Sequence, residues 1–306
     1  MCQILRNSVK RSQCVNNLGD SHCEFIFADC VVHVNSSLTL CVTTMFELKP
    51  KHKFAVLKLV YFPLRARGEA IQMLLRHAKV PFVNEVIPLT EWSTLKPHVP
   101  NGTLPQLQLG HDGSLVPHAR DIALRIARIG GPPLLPDDDE LAQRAVECWS
   151  ELHLNALPYI DDPWSNATPW GARIGAVNPL LNLVAIDEAV PLVHRYLDGA
   201  QTWLETLNAR IQRSGPDGGF MGGPKAPHHG DFASFAICDN MCTLGGIEVL
   251  ADAGAHLLPW YESMRALPAV AKHLDVRPQA GTGTIGKPGS LIYEHADPAA
   301  VVRAAR

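Results

Sequence analysis

Four side chains between residues 61 and 96 could bind and stabilise an anion. They are Tyr61, Arg67, Trp92 and Lys96, whose phenol, guanidinium, indole and ammonium groups all donate hydrogen bonds. A donor placed at an ionised group forms a charge-assisted hydrogen bond, which is shorter and stronger than one between neutral groups. Each of these residues also has a purely structural interpretation, in which the ring packs or the charge is solvated. Their chemistry therefore depends on the elements that position them.

Two other patterns are weak candidates for a site. His228 and His229 are adjacent in a glycine-rich loop, which is poor evidence for a pair of metal ligands. The segment 281–288, GTGTIGKP, matches G-x-x-x-x-G-K, but Pro288 stands where a P-loop carries its Ser or Thr. The segment also does not lie between a strand and a helix, as a P-loop does. We therefore predict neither a metal site nor a nucleotide site.

The pattern over residues 54–131 predicts a small α/β domain with the order βαβ, a connection, then ββα. FAVLKLVYF (54–62) is typical of a strand that ends near Tyr61, because Pro63 cannot donate to a sheet. The segment that follows has apolar residues at the spacing of one helix face. Further elements are predicted downstream, namely strands over 83–89, 104–109 and 114–118 and a helix over 119–129.

This order of elements resembles the thioredoxin-like domain of cytosolic glutathione transferases, most of all the sigma class that includes glutathione-dependent prostaglandin D synthases. The family patterns YF-x-x-R-x-R-x-E, W-x-x-x-K and G-x-x-P occur without gaps in YFPLRARGEAIQMLLRHAKV and EWSTLKPHVPNGTLPQLQL. The resemblance extends over residues 54–278 and ends in WYESMRALPAVAKHLDVRP. It covers most of the chain and carries specific motifs.

The resemblance implies a glutathione transferase that joins the glutathione thiolate to a small hydrophobic electrophile. Tyr61 would be the catalytic residue that stabilises the thiolate, with Arg67 assisting. A free thiol has a pKa near ~8.5, so the site must lower it by roughly two units, or about 2.7 kcal/mol, for the thiolate to predominate at neutral pH. A phenol hydroxyl at the sulfur would supply part of this stabilisation.

The resemblance also assigns residues to glutathione binding, whether glutathione is substrate or cofactor. Trp92 and Lys96 match the residues that hold the glycine carboxylate. Leu104 precedes Pro105, where the family has a cis-proline, so the backbone of Leu104 would pair with the cysteinyl part of the tripeptide as an added strand does.

The sequence departs from the family at the start of the predicted helix 119–129. Most members have Gln-Ser or Glu-Ser there, and the hydroxyl and the helix N-terminal amides bind the γ-glutamyl carboxylate. One register places His118-Ala119 at this dipeptide and a shift by one residue places Ala119-Arg120 there, and neither restores the hydroxyl. If nothing compensates, the loss would cost about 1–3 kcal/mol of binding.

This departure leaves other functions open. One alternative is a non-catalytic scaffold or complex subunit that has kept the glutathione transferase fold. Another is a glutathione-dependent isomerase, which uses the tripeptide as cofactor.

The predicted fold class is α/β plus all-α, a thioredoxin-like βαβ-ββα domain (54–131) followed by a glutathione transferase C-terminal helical bundle (140–278). Residues 132–139, PPLLPDDD, have the composition of a linker, and residues 279–306 form a C-terminal tail. Asp231 lies at the start of a predicted helix and matches the acid of the family's S/T-x-x-D pattern. His228 stands where that pattern has its Ser or Thr. This pattern predicts helix capping and not catalysis.

Residues 1–53 lie outside the resemblance. Five of the eight cysteines fall there, at positions 2, 14, 23, 30 and 41, without the C-x₂₋₄-C spacing of a zinc site. We predict that the segment is disordered or acts in organelle targeting, since no acidic residue precedes Asp20. Apart from such targeting, we expect a cytoplasmic protein.

The composition argues against several other partners. The 27 Lys and Arg and 30 Asp and Glu residues give a net charge of −3 without a one-signed block, which argues against nucleic acid or an anionic membrane. No run of 18 apolar residues occurs, so no membrane span is expected. The expected partners are glutathione, a small hydrophobic electrophile and, by the resemblance, a second copy of the chain in a homodimer with a role in detoxification.

Overall fold

The computed structural model describes residues 56–154 and 185–305, apart from 64, 66, 111–112, 215–218, 224 and 283–288, together with the backbone of four strands near the N terminus. The chain divides into two compact units, residues 1–54 and residues 55–306. Each unit is described by itself.

The first unit contains an antiparallel sheet whose four strands follow one another in sequence order. They are β1 (Ser12–Asn17), β2 (Asp20–Phe27), β3 (Cys30–Val34) and β4 (Leu40–Thr43). These strands lie inside the segment 1–53, for which the sequence predicts disorder or targeting. The targeting role and the domain boundaries given above stay predictions.

The second unit begins with a sheet of four strands and the helices around it. In chain order these elements are β5 (Leu57–Tyr61), α1 (Arg67–His77), β6 (Phe82–Val86), α2 (Trp92–Leu95), β7 (Gln106–Gln108), β8 (Leu115–Pro117) and α3 (Ala119–Gly130). The sheet order is β6-β5-β7-β8. Strand β5 is parallel to β6 and antiparallel to β7, which is antiparallel to β8. This is the predicted βαβ-ββα order, and the fold class is confirmed.

Strand β6 is shorter than the sequence predicted. It ends at Val86, whereas the prediction extended to residue 89. Pro88 has no N–H with which to continue a ladder, and the chain turns at Leu89–Glu91 into a 3₁₀ helix.

The rest of the second unit is helical. Its elements are α4 (Asp139–Leu154), α5 (Ile186–Gly199), α6 (Gln201–Arg213), α7 (His229–Gly245), α8 (Glu248–Ala253), α9 (Leu257–Ala266), α10 (Pro268–Val276), α11 (Leu291–Glu294) and α12 (Pro298–Ala304). Every residue of α7 from His229 to Met241 is buried, as expected for a helix that is surrounded by others at the centre of a core. Helix α7 packs against α4 and α1, so it joins the helical part to the sheet part. Among the described residues, no helix is long and apolar enough to cross a membrane.

The start of α7 confirms the predicted capping role of Asp231. The His228 imidazole accepts a hydrogen bond from the Asp231 N–H (3.2 Å), and the Asp231 carboxylate accepts one from the His228 N–H (3.0 Å). The same carboxylate accepts from the Met221 N–H and from the Trp260 indole, both at 2.9 Å. The imidazole nitrogen therefore replaces the missing hydroxyl, and Asp231 is a buried structural acceptor.

The described residues beyond 278 belong to the core of the helical part. Leu291, Ile292 and Val302 are buried within the same cluster as the helices, and α12 packs against α7 and α5. The carbonyl of Val302 is 3.0 Å from Nε2 of His194 on α5. The segment that the sequence predicted as a tail therefore completes the packing of the helical part.

We predict that Ile292→Ala lowers the free energy of unfolding by about 2–5 kcal/mol, because it removes a fully buried side chain (0% exposed) from the core. The measurement is urea unfolding of the full chain. Glu294→Ala, which changes an exposed residue of the same helix, is the control and should change the stability little. Equal, small effects of both substitutions would contradict the packing role of this segment.

Candidate active site

Tyr61 lies at the end of β5, and its ring packs directly on the first turn of α1. Its side chain is 4% exposed. A Cβ atom at Gly68 would overlap Cδ1 and Cγ of the Tyr61 ring. Only a glycine at this position lets the helix approach the ring so closely, and this close approach fixes the direction of the hydroxyl group.

The Tyr61 hydroxyl has a polar environment inside this buried contact. Burial raises the pKa of Tyr61 above its ordinary value, while the Arg67 charge, a backbone hydrogen bond from Gly68 and a hydrogen bond from the Arg67 side chain lower it. Because burial outweighs the other effects, the phenol is neutral at physiological pH. The site therefore presents a neutral O–H donor beside a buried cation, a combination suited to stabilising an anion.

Trp92 and Leu104 lie in the same small apolar cluster as Tyr61. The cluster also includes Phe62, whose ring is 5.1 Å from the Trp92 ring in an edge-to-face arrangement and 5.6 Å from the Tyr61 ring. The structure thus brings three of the predicted site residues together. Phe62 was missed by the sequence analysis, although it follows Tyr61 directly in the YF pattern.

The Leu104-Pro105 peptide bond is cis, which confirms the geometry predicted from the resemblance. The next residue, Gln106, is buried and donates a hydrogen bond of 2.6 Å to the Pro100 carbonyl. This bond ties the 3₁₀ turn Pro100–Gly102 to strand β7. Gln106 was also missed, and its only signal in the sequence is a polar residue within a short apolar strand.

Lys96 is exposed and follows α2 directly. A Cβ atom at Gly102 would lie 3.6 Å from both Cγ and Cε of Lys96, so the aliphatic stem of the lysine crosses that glycine. The Gln106 hydrogen bond to the same turn therefore also supports the position of Lys96.

His118 is the N-cap residue of α3, and its φ of 62° lies in the left-handed region that residues other than glycine rarely adopt. Such strain is often found at binding sites.

The first hydrogen bond of helix α3 runs from the Ile122 N–H to the His118 carbonyl (3.0 Å). The three amides before Ile122 therefore have no acceptor within the helix. Helix α3 thus begins at Ala119 with His118 as its N-cap residue, and the match of this start to the family's dipeptide stays a prediction.

The strand pairing places these groups in one row. Val60 is opposite Gln106, and Gln106 is opposite Pro117, so Tyr61, Pro105 and His118 each lie one residue further, at the same end of the sheet. With strands about 4.8 Å apart, this row spans roughly 10 Å from Tyr61 to His118. The neutral phenol donor, the cis-proline and the amides of the helix start therefore lie in one row whose length is that of a short peptide.

No protein-family model matches the chain, but individual proteins do. The chain is 39% identical over 71 residues to a protein of Caenorhabditis elegans described as probable glutathione S-transferase 8, a match that covers 23% of this chain and 34% of that protein. Hematopoietic prostaglandin D synthase of Gallus gallus is 27% identical over 227 residues, which are 72% of this chain and 96% of that protein.

The chain is thus similar to glutathione S-transferases over short stretches and to a prostaglandin D synthase over most of its length.

A solved structure has a similar fold. The structure of prostaglandin synthase D of Nilaparvata lugens superimposes with a TM-score of 0.54 and 20% identity, covering 73% of this chain and 99% of that chain. The likeness to prostaglandin D synthases agrees with the sigma-class relation expected from the sequence. The chain spans about a third of the length of the Caenorhabditis elegans relatives that it matches.

We predict that Gly68→Ala lowers the free energy of unfolding by about 1–3 kcal/mol. Alanine in place of glycine within a helix normally stabilises it by about 0.5–1 kcal/mol, but here the new methyl group overlaps the Tyr61 ring. Urea unfolding and the near-ultraviolet circular dichroism of the aromatic residues measure the effect.

Gly130→Ala is a matched control for this substitution. Its new Cβ atom would lie 2.7 Å from Cδ1 of Leu134, the far end of a flexible side chain that can move away. A Gly68→Ala protein at least as stable as the unchanged chain would show that the helix does not need this close approach.

Proposed function

We propose that the protein is a glutathione transferase in which Tyr61 stabilises the thiolate of glutathione. The observation that carries the proposal is the buried, neutral Tyr61 hydroxyl beside Arg67, in one row with Pro105 and the start of α3. The thiol proton leaves to solvent, and the thiolate sulfur forms a bond to an electrophilic carbon. The electron pair of the broken bond then departs with the leaving group or is protonated.

Glutathione would bind along the row at the end of the sheet. The backbone of Leu104 pairs with the cysteinyl part, which places the sulfur at Tyr61. The γ-glutamyl carboxylate lies at the start of α3, where the amides after His118 and the positive end of the helix dipole stabilise an anion. Trp92 and Lys96 bind the glycine carboxylate at the other end of the tripeptide.

The missing hydroxyl at the start of α3 weakens this binding without removing it. Ala119 is buried, and in the proposed register it matches the family's serine, so the carboxylate would depend on backbone amides and on His118. The nearby Arg120 donates to Asp121 over 3.1 Å in an exposed pair. That acidic side chain reduces the positive potential at the helix start.

The proposal extends to properties that the resemblance implies. The second substrate is a small hydrophobic electrophile, the protein is a homodimer, and it acts in the detoxification of such compounds in the cytoplasm.

A glutathione-dependent isomerase is the second candidate, and the observation that favours it is the match over 96% of the Gallus gallus prostaglandin D synthase. In an isomerase the thiolate attacks and later leaves, so glutathione is regenerated. Mass spectrometry of the products distinguishes the two reactions, because only conjugation consumes glutathione.

We predict that Tyr61→Phe lowers the rate of glutathione conjugation to a chlorodinitrobenzene by about 10- to 100-fold at neutral pH. Hydrogen bonds to charged groups contribute about 1.5–3 kcal/mol, which corresponds to this range. Retention on immobilised glutathione should persist, because the backbone contacts remain. An unchanged rate would rule out the assigned role of Tyr61, and neither retention nor turnover by the unchanged chain would rule out the enzyme.

We also predict that Ala119→Ser lowers the Kd for glutathione about 5- to 100-fold, because it restores a hydroxyl at the helix start. Isothermal titration calorimetry measures the change. Arg120→Ser adds a hydroxyl one position later and is the matched control, which should leave the affinity nearly unchanged. Tighter binding in the control but not in Ala119→Ser would contradict the register on which the site is built.

A further inference from the structure

A buried ionic cluster joins the first turn of α1 to the helical part. The Glu69 side chain, which is 7% exposed, accepts a hydrogen bond of 2.7 Å from the Arg277 guanidinium, and His273 Nε2 lies 3.3 Å away. The same guanidinium nitrogen is 2.6 Å from the carboxylate of Asp239 on α7. That carboxylate in turn accepts from the Tyr261 hydroxyl on α9 (2.9 Å).

A second link joins the same two regions. Arg65, which is also buried, donates to the Pro278 carbonyl over 3.0 Å. Arg65 and Glu69 therefore stand on either side of Arg67 and Gly68, the two residues that form hydrogen bonds with Tyr61. The turn that holds the Tyr61 hydroxyl is thus fastened at both ends to residues 273–278.

The charges of this cluster nearly cancel. The guanidinium groups of Arg65 and Arg277 interact with the carboxylates of Glu69 and Asp239, so the two cations are matched by two carboxylates. Burial raises the pKa of Glu69, but Arg277 first and then His273 and Arg65 lower it, so that the pKa is about 2. Glu69 is therefore ionised at neutral pH and offsets one of the arginines.

We propose that Glu69 is a positioning residue with two effects. Held by Arg277 of the helical part, it keeps the turn of Arg67 and Gly68 against the Tyr61 hydroxyl, and its charge offsets the cations around that hydroxyl. The proposal deepens the function proposed above and rests on it for its catalytic consequence. The state of the Tyr61 hydroxyl itself can be measured without any substrate.

The charge of Glu69 also acts on Tyr61. Burial is the main cause that raises the pKa of Tyr61, and the Arg67 charge lowers it. The Glu69 carboxylate adds a smaller rise, because a carboxylate near a phenol disfavours the phenolate. Glu69→Gln keeps an oxygen that accepts from Arg277 but removes the charge. Arg277→Gln instead removes a cation and leaves the charge of Glu69 uncompensated.

The two substitutions should therefore shift Tyr61 in opposite directions. We expect the acid ionisation constant of the phenol to rise in Glu69→Gln and to fall in Arg277→Gln, each on the order of tenfold. Loosening of the turn alone would shift the constant in the same direction in both variants, so opposite shifts separate the proposal from a purely structural role.

The experiment uses the full chain with its tyrosines replaced by fluorotyrosine, whose phenol ionises at lower pH, and follows each variant by fluorine NMR as the pH is raised. Comparison with Tyr61→Phe assigns the signal of residue 61. Asp239→Asn is the matched control. It removes the charge of a carboxylate that is paired with the same guanidinium and similarly buried, but that lies on α7 and not on α1. It should move the Tyr61 titration by less than about twofold.

Two results would overturn the proposal. One is a Tyr61 titration that is the same in Glu69→Gln as in the unchanged chain, and the other is an equal shift in Asp239→Asn. If Glu69→Gln does not fold, the Arg277→Gln variant decides. A rise in the acid ionisation constant of Tyr61 in that variant, or no change in it, would contradict the proposal. Failure of the glutathione transferase function would appear only in binding and turnover, so the two failures are distinguishable.

Discussion

The candidate site depends on the contact between the Tyr61 ring and the first turn of α1. Tyr61 is the last residue of strand β5, and Gly68 allows helix α1 to lie directly on its ring. Since the contact is buried, the hydroxyl cannot be solvated and must take its hydrogen bonds from Arg67 and the Gly68 backbone. The Tyr61 hydroxyl is therefore held in place as a hydrogen-bond donor by the end of β5, by Gly68 and by the start of α1.

The same turn of α1 explains how the sheet part and the helical part act together. Glu69 and Arg65 fasten it to the residues after α10, and these contacts lie within a buried cluster of opposite charges. A buried ion pair gains little net stability, because desolvation offsets much of the attraction. Its clearer consequence here is geometric, since it fixes the helix that packs on Tyr61 and keeps the Arg67 charge beside the phenol.

Local patterns in the sequence predicted much of this arrangement. The YF-x-x-R-x-R-x-E pattern located Tyr61 and Arg67, the resemblance predicted the cis bond before Pro105, and the spacing of His228 and Asp231 predicted the capping box. The partners of Glu69 could not be predicted, because Arg277 lies 208 residues away along the chain and no local pattern records such a contact. The unusual backbone conformation of His118, with φ of 62°, could not be predicted either, because it depends on the path of the chain between β8 and α3.

The most direct test of this account is the pKa of the thiol of glutathione bound to the unchanged chain, measured by the ultraviolet absorbance of the thiolate as the pH is varied. If Tyr61 and Arg67 stabilise the thiolate, the pKa should lie roughly two units below the value of ~8.5 for a free thiol. A pKa at or above that value for the bound thiol would contradict the central claim that this site generates the thiolate.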